Sequence, residues 1–244
     1  NNKAFTDLLD SNPSWNSLTD IPEPVLKNVL LFHVLGSKVM AADLSDTYVN
    51  TLGMGPNDEA LSLQVAITGG VMFNGMASPL TVDVSASNGV VHVIDKVMLP
   101  PSIVDLAINN PNFSSLVAAL TDPRHTTDFV GILSGDGPFT VFAPDNAAFQ
   151  MLLDSDPMWN SVGDIPISTL DAVLKYHVVN NSNVQSDQLT DMQQVTMLSG
   201  GMISIDLSAG AAIITSSAQT VNITGTDVQG ANGVIHSVAE VLIP

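Results

Sequence analysis

DNAAFQMLLDSDPMWNSV (145–162) repeats NNKAFTDLLDSNPSWNSL (1–18), and this pair of stretches decides the domain organisation. Residues 1–34 and 145–178 align without a gap, with 19 of 34 positions identical, including Phe5/Phe149, Pro13/Pro157, Trp15/Trp159 and His33/His177. The offset of 144 returns at the far end, where NGVVHVIDKVMLP (88–100) matches NGVIHSVAEVLIP (232–244). Self-similarity at a fixed offset is the mark of a repeated domain. Two copies are expected, 1–100 and 101–244, meeting at Pro100-Pro101.

The copies differ at the front. Residues 101–144 have no counterpart within the first copy, and they read as three short helices followed by a strand. Ser102 is placed to cap IVDLAINN, Asn112 to cap FSSLVAAL, and TTDFVGIL is a third apolar helix. GDGP is a turn, and FTVFA (139–143) is a β-branched and aromatic strand. Asp145 caps the next helix, NAAFQMLLD, and STLDAVLKYHVV puts Leu170, Val173, Leu174 and His177 on one face.

The back half of each copy reads as strands. LSLQVAI (61–67) and MISIDL (202–207) alternate as half-buried strands do, and Asn74-Gly75 suits a tight turn. GVVHVIDKVML and its repeat read as a long closing strand. The sum is α+β: helices first, then an antiparallel sheet built into a sandwich.

Charge narrows the function classes. Six basic residues face 24 acidic ones, a formal net charge of -18. Nucleic-acid binding needs clustered Lys and Arg, and an anionic membrane surface needs the same. No apolar run reaches the roughly 18 residues of a membrane span. There is no cysteine, so disulfides, thiol catalysis and thiolate metal sites are excluded.

TVFAPDNAAF (140–149), LKYHVV (174–179) and NGVIHSVAEVLIP (232–244) together resemble the three signature segments of the fasciclin domain family. The first copy carries NNKAF, LLFHVL (with Phe32 in place of Tyr) and NGVVHVIDKVMLP. The resemblance covers essentially the whole chain. It implies tandem domains, each a β-sandwich wedge with several short helices packed on it. It implies a secreted or cell-surface setting and a role in adhesion rather than catalysis, with an extracellular protein or glycan as partner. A structural repeat unit of a longer surface array or fibre is the alternative reading; a matrix-polymer hydrolase is the catalytic one.

The resemblance also supplies candidate contacts. Tyr176 and His177, with Phe32 and His33 in the first copy, match a pair proposed to contribute to adhesion in the family. The ordinary reading makes His177 an imidazole hydrogen-bonded inside the fold. An Asp-aliphatic pair five residues before the Asn-Gly is read as an integrin contact in some members. Its matches are Asp83-Val84 and Asp227-Val228, without the Glu-Pro that precedes it there.

Other features read as structural. His92 and His236 occupy the same place in the closing strand, with no second ligand at metal spacing. The Asp-rich turns 41–46 and 186–191 lack the spacing of a calcium loop. No G-x-S-x-G elbow, P-loop or dinucleotide fingerprint occurs. The reading is non-catalytic and without cofactor or metal.

NNKAF is the tail of a segment whose first half, the equivalent of FTVFAP, is not in the first copy. A domain without that strand exposes core surface. The expectation is an open groove beside Phe5 and Leu8. It would be filled by residues upstream of Asn1 or by another chain, so that self-association could run through the first domain.

Overall fold

The computed structural model describes residues 1–244, which form two compact units, Asn1–Pro101 and Ser102–Pro244. The first domain opens with α1 (Asn2–Asp10), capped by the Asn1 side chain on the Ala4 N–H, and α2 (Glu23–Phe32). Its strands are β1 (Thr47–Met54), β2 (Ala60–Ala66), β3 (Met72–Phe73), β4 (Pro79–Ala86) and β5 (Gly89–Ile94). They make a three-stranded antiparallel sheet, β1-β2-β3, and a separate β4-β5 hairpin. Asn74 and Gly75 both take positive φ in the turn after β3, as an Asn-Gly turn requires. Phe32, Leu61, Leu63, Val65, Phe73 and Met98 form the core.

The second domain begins with α3 (Ile103–Asn109), α4 (Ser114–Leu120) and α5 (Phe129–Leu133). Ser102 and Asp105 form a capping box at α3: Ser102 Oγ accepts from the Asp105 N–H, and the carboxylate accepts from the Ser102 N–H. Next come β6 (Phe139–Pro144), α6 (Asn146–Asp154, capped by Asp145 on Ala148) and α7 (Ile167–Tyr176). The remaining strands are β7 (Val178–Asn180), β8 (Gln194–Thr196), β9 (Met202–Asp206), β10 (Ala212–Ile214), β11 (Thr220–Gly230) and β12 (Gly233–Val238). They form one seven-stranded sheet in the order β7-β6-β12-β11-β10-β9-β8. Phe142, Tyr176, Ile203, Ile205, Val221 and Leu242 belong to its core.

Four local expectations are corrected. The sheet is not wholly antiparallel, because β6 pairs parallel with β12, from Gly233↔Phe139 to Val238↔Pro144. The strand that enters from the helical front half runs alongside the last strand of the chain, a pairing almost a hundred residues apart in sequence. The closing strands are short, ending at Ile94 and Val238; the next residues leave the ladder to be bound by a histidine, as described below. Asn110, not Asn112, caps the segment before α4: its side chain accepts from the Asn112 N–H, because Pro111 starts a 3₁₀ turn there. Lastly, the open groove of the first domain does not lie beside Phe5 and Leu8. Leu8 is buried and Phe5 half-buried, and the groove runs between the β1–β3 sheet and the β4-β5 hairpin.

Candidate functional site

The Asp-aliphatic pairs lie on bulges. The β4-β5 register slips between Thr81 and Val84, and the β11-β12 register between Gly225 and Val228. Each bulge puts an aspartate in the left-handed region, Asp83 at φ 59° and Asp227 at φ 64°. Asp tolerates this conformation better than most residues because its short polar side chain bonds locally.

The bulge aims that side chain at a loop. The Asp83 carboxylate accepts from the Ala41 N–H at 2.9 Å. The Asp227 carboxylate accepts from the Ser186 N–H at 2.7 Å and from the Ser186 hydroxyl. The aspartate N–H donates across the ladder to a histidine Nδ1, Asp83 to His92 and Asp227 to His236, at 3.4 and 3.3 Å. The other ring nitrogen meets a carbonyl: His92 Nε2 with Val39 O at 3.0 Å, His236 Nε2 with Val184 O at 2.9 Å. A carbonyl only accepts, so Nε2 carries the proton and Nδ1 is the acceptor. Each histidine thus pins one loop to one bulge. Burial holds the His236 pKa below the ordinary histidine value, against the opposing pull of its Val184 bond and of Asp227.

The second pair of histidines does similar work at the C-terminal ends of α2 and α7. His33 Nδ1 donates to Val29 O and His177 Nδ1 to Val173 O, both at 2.7 Å. Their Nε2 atoms accept from the Met98 and Leu242 N–H groups at 3.0 and 2.9 Å. This bond draws the closing segment out of the strand ladder and onto the helix end. Burial lowers both imidazole pKa values, that of His177 to about 4. Tyr176 is wholly buried; its hydroxyl donates to Met202 O at 2.7 Å and accepts from the Ser216 N–H at 3.0 Å. Phe32 is equally buried and has no hydroxyl to place.

The candidate contacts therefore separate. Tyr176, His177 and Phe32 lie inside, and His33 is half-buried with both nitrogens bonded. Asp83 and Asp227 are partly exposed, with carboxylates turned to their loops, and Val228 is half-buried. Val84 is exposed, together with Leu80, Val82 and Val91 on the same hairpin. The Asp-rich turns are latches: Asp46 accepts from the Ile67 N–H at 2.7 Å, and Asp191 from the Leu207 N–H at 2.9 Å.

Two features were not found from the sequence. A buried knot joins Asn183, Gln185 and Gln229, in which the Gln229 amide also donates to the Gly230 and Gly233 carbonyls. A glutamine inside an otherwise apolar strand end was its signal. The other is the extent of the groove in the first domain, a cavity of about 470 Å³ walled by Leu63, Val65, Phe73, His92, Ile94 and Met98 among others. Its walls are mostly aliphatic, and no three His, Asp or Glu side chains converge there or elsewhere.

The fasciclin domain family model matches residues 1–100 and 111–244. The chain belongs to the fasciclin domain family. Human periostin is 31% identical over 256 aligned residues, covering 99% of this chain and 28% of periostin. An uncharacterised Synechocystis protein, sll1735, is 33% identical over 143 residues, 59% of this chain and 98% of that protein. The chain thus spans little more than a quarter of the first relative and contains a match to nearly all of the second. A FAS1 domain pair from the insect cell adhesion molecule fasciclin I matches in structure with a TM-score of 0.58 at 19% identity, over 100% of this chain and 86% of that one. At that identity the likeness establishes the fold. No helix is long and apolar enough to cross a membrane.

Proposed function

We propose that this fasciclin domain pair is an extracellular adhesion or matrix-interaction module that binds a protein or glycan through surface contacts and performs no covalent step. The observation that carries the reading is that two regions of the chain match the fasciclin domain family and that the fold is that of a domain pair from a cell adhesion molecule. The hydrogen bonding is consistent with it, because every histidine singled out above is bonded at both ring nitrogens.

Within this reading the bulged edges at Asp83-Val84 and Asp227-Val228 are the contact surfaces. The carboxylates shape the bulge, and the neighbouring aliphatic side chains meet the partner. Tyr176-His177 and Phe32-His33 act from inside, by fixing the helix ends and the closing segments. A glycan array and a pull-down from extracellular matrix test this with the intact chain, Val84→Asp and Val228→Asp. Loss of capture in either variant, with its melting temperature unchanged, is the expected result. Equal capture by both variants and the parent removes the bulged edges from the reading.

A further inference from the structure

His125 differs from the other four histidines in what its ring nitrogens face. His33, His92, His177 and His236 each have one nitrogen on a backbone carbonyl and the other on a backbone N–H that donates to it. His125 meets no donor. Its Nε2 lies 2.8 Å from Ala119 O near the end of α4, and its Nδ1 lies 3.1 Å from a carboxylate oxygen of Asp171 on α7. Both of those atoms only accept. A ring with a single proton would satisfy one of them and set a lone pair against the other. The side chain is 4% exposed, so the ring is shut off from bulk water. Its surroundings suit a ring that donates twice. Asp171 also accepts from Thr127 Oγ1 at 3.3 Å and from Lys175 Nζ at 2.5 Å. Burial opposes ionisation of Asp171, but its bonds to Lys175, His125 and Thr127 outweigh burial and hold the carboxyl below the usual carboxylate range. The loop between α4 and α5 carries Asp122, Arg124 and Asp128. Asp122 and Arg124 pair with each other, and Asp128 caps α5 on the Gly131 N–H. Neither α4 nor α5 holds a charged residue. The Phe129 ring at the start of α5 meets His125 edge-on at 4.8 Å.

We propose that His125 is a proton-operated latch: with a proton on both ring nitrogens it ties the loop before α5 to α4 and to α7, and loss of one proton breaks one of the two ties. Its sign is opposite to that of the other histidines. Each of those needs a bare nitrogen to accept its backbone N–H, and acid removes that acceptor. His125 uses both of its protons, and alkali removes one of them. The hydrogen bonding of the second domain is therefore complete only between an acid limit set by His177 and His236 and an alkaline limit set by His125. The part that loosens at the alkaline limit is the loop 121–128 with the start of α5, because Phe129 packs on the imidazole. The first domain cannot build the same latch: at the 144-residue offset Asp171 and Lys175 fall on Lys27 and Leu31. The latch goes beyond the adhesion reading and does not depend on it.

The test uses the intact chain carrying Trp15→Phe, so that Trp159 reports the second domain. Urea unfolding is followed from pH 6 to pH 8.5 for this parent, and with His125→Asn or Asp171→Asn added. Asp171→Asn offers an amide N–H to a bare ring nitrogen, so that protein keeps both ties without the second proton. The folding constant of the parent, taken as a ratio to either variant, should be largest at pH 6 and fall about tenfold by pH 8.5, the worth of one hydrogen bond to a charged group. The ratio cancels the titration of His177 and His236, which all three proteins share. A ratio that stays constant or rises with pH overturns the proposal. Where a variant does not fold, nitrogen NMR of the parent decides. Both His125 ring nitrogens are expected to show a bonded proton at pH 6, and a bare nitrogen there overturns the latch.

Discussion

The strand NGVVHVI in the first domain and NGVIHSV in the second are nearly the same letters in two environments. Ile235 is 2% exposed and its counterpart Val91 is 52% exposed. His236 is fully covered by the ring of Phe142 and the surrounding core, whereas the His92 side chain keeps 23% of its surface. The difference lies in neighbours: β6 covers one strand and not the other. Burial and edge exposure belong to the packing of a strand rather than to its own sequence. What survives in both domains is the part held by local bonds, namely the bulge aspartate, its histidine and the loop they clamp.

The largest expected effect breaks the symmetry of that pair directly. Ile235→Asp places a carboxylate in a sealed core and should cost more than about 4 kcal/mol. Val91→Asp at the matching position should change stability by no more than about 0.5 kcal/mol. Each domain holds one tryptophan, Trp15 or Trp159. Urea unfolding of proteins with one tryptophan replaced by Phe therefore reads the two domains apart. Equal losses in both domains would mean that the outer face of β5 is covered in solution.

Acid should sharpen the contrast. His177 is neutral in the fold with a pKa of about 4, against about 6.5 when unfolded. The unfolded chain then binds the extra proton first, so stability is complete above about pH 6.5 and falls as the pH drops toward 4. The displacement corresponds to a loss on the order of 3 kcal/mol in the second domain. His236 adds to the loss in the same direction. In the first domain His33 is shifted the same way but is half-buried, so a shallower decline is expected. Unfolding midpoints at pH 7 and pH 4.5 measure both slopes, and His177→Ala should flatten the steeper one.

A smaller effect tests the interior Tyr/Phe exchange. Tyr176→Phe leaves the Met202 carbonyl and the Ser216 N–H without their hydroxyl partner and should cost about 1–3 kcal/mol. Phe32→Tyr in the first domain buries a hydroxyl where the core is apolar, and should also destabilise, by about 1–3 kcal/mol. If Phe32→Tyr stabilises its domain, the two sites are more alike than their cores indicate. The same unfolding assay with one tryptophan per domain decides it.

The features legible in the sequence were those settled within a few residues. The Ser102 cap, the Asp145 cap and the Asn74-Gly75 turn depend on short-range bonds, and all three are present. The repeat was legible for the same reason, because its two copies share 19 of 34 aligned positions at their front. Long-range features were not legible. The parallel β6–β12 pair joins distant segments, so the alternation of each strand carries no trace of it. The groove was expected near Phe5 and Leu8 because those residues follow the signature segment in sequence. The space instead lies between the β1–β3 sheet and the β4-β5 hairpin, walled by residues far apart in sequence such as Leu35, Leu63 and His92. His92 and His236 read identically, and only β6 separates their burial.

The smallest effect concerns the bulge itself, where two terms oppose each other. Replacing Asp83 or Asp227 by Ala loses the carboxylate bonds to the loop and keeps a Cβ at positive φ, where an L residue costs roughly 1–2 kcal/mol. Replacing either by Gly loses the same bonds but relieves the backbone. The Gly variant should therefore be more stable than the Ala variant at both sites, by up to about 1 kcal/mol. The loss from Asp to Gly should be larger at Asp227, whose carboxylate holds both the N–H and the hydroxyl of Ser186, than at Asp83, which holds the Ala41 N–H. Thermal melting of the four variants measures the ordering. If Ala and Gly are equivalent at both positions, the left-handed backbone carries no strain and the loop bonds alone explain why an aspartate stands there in each domain.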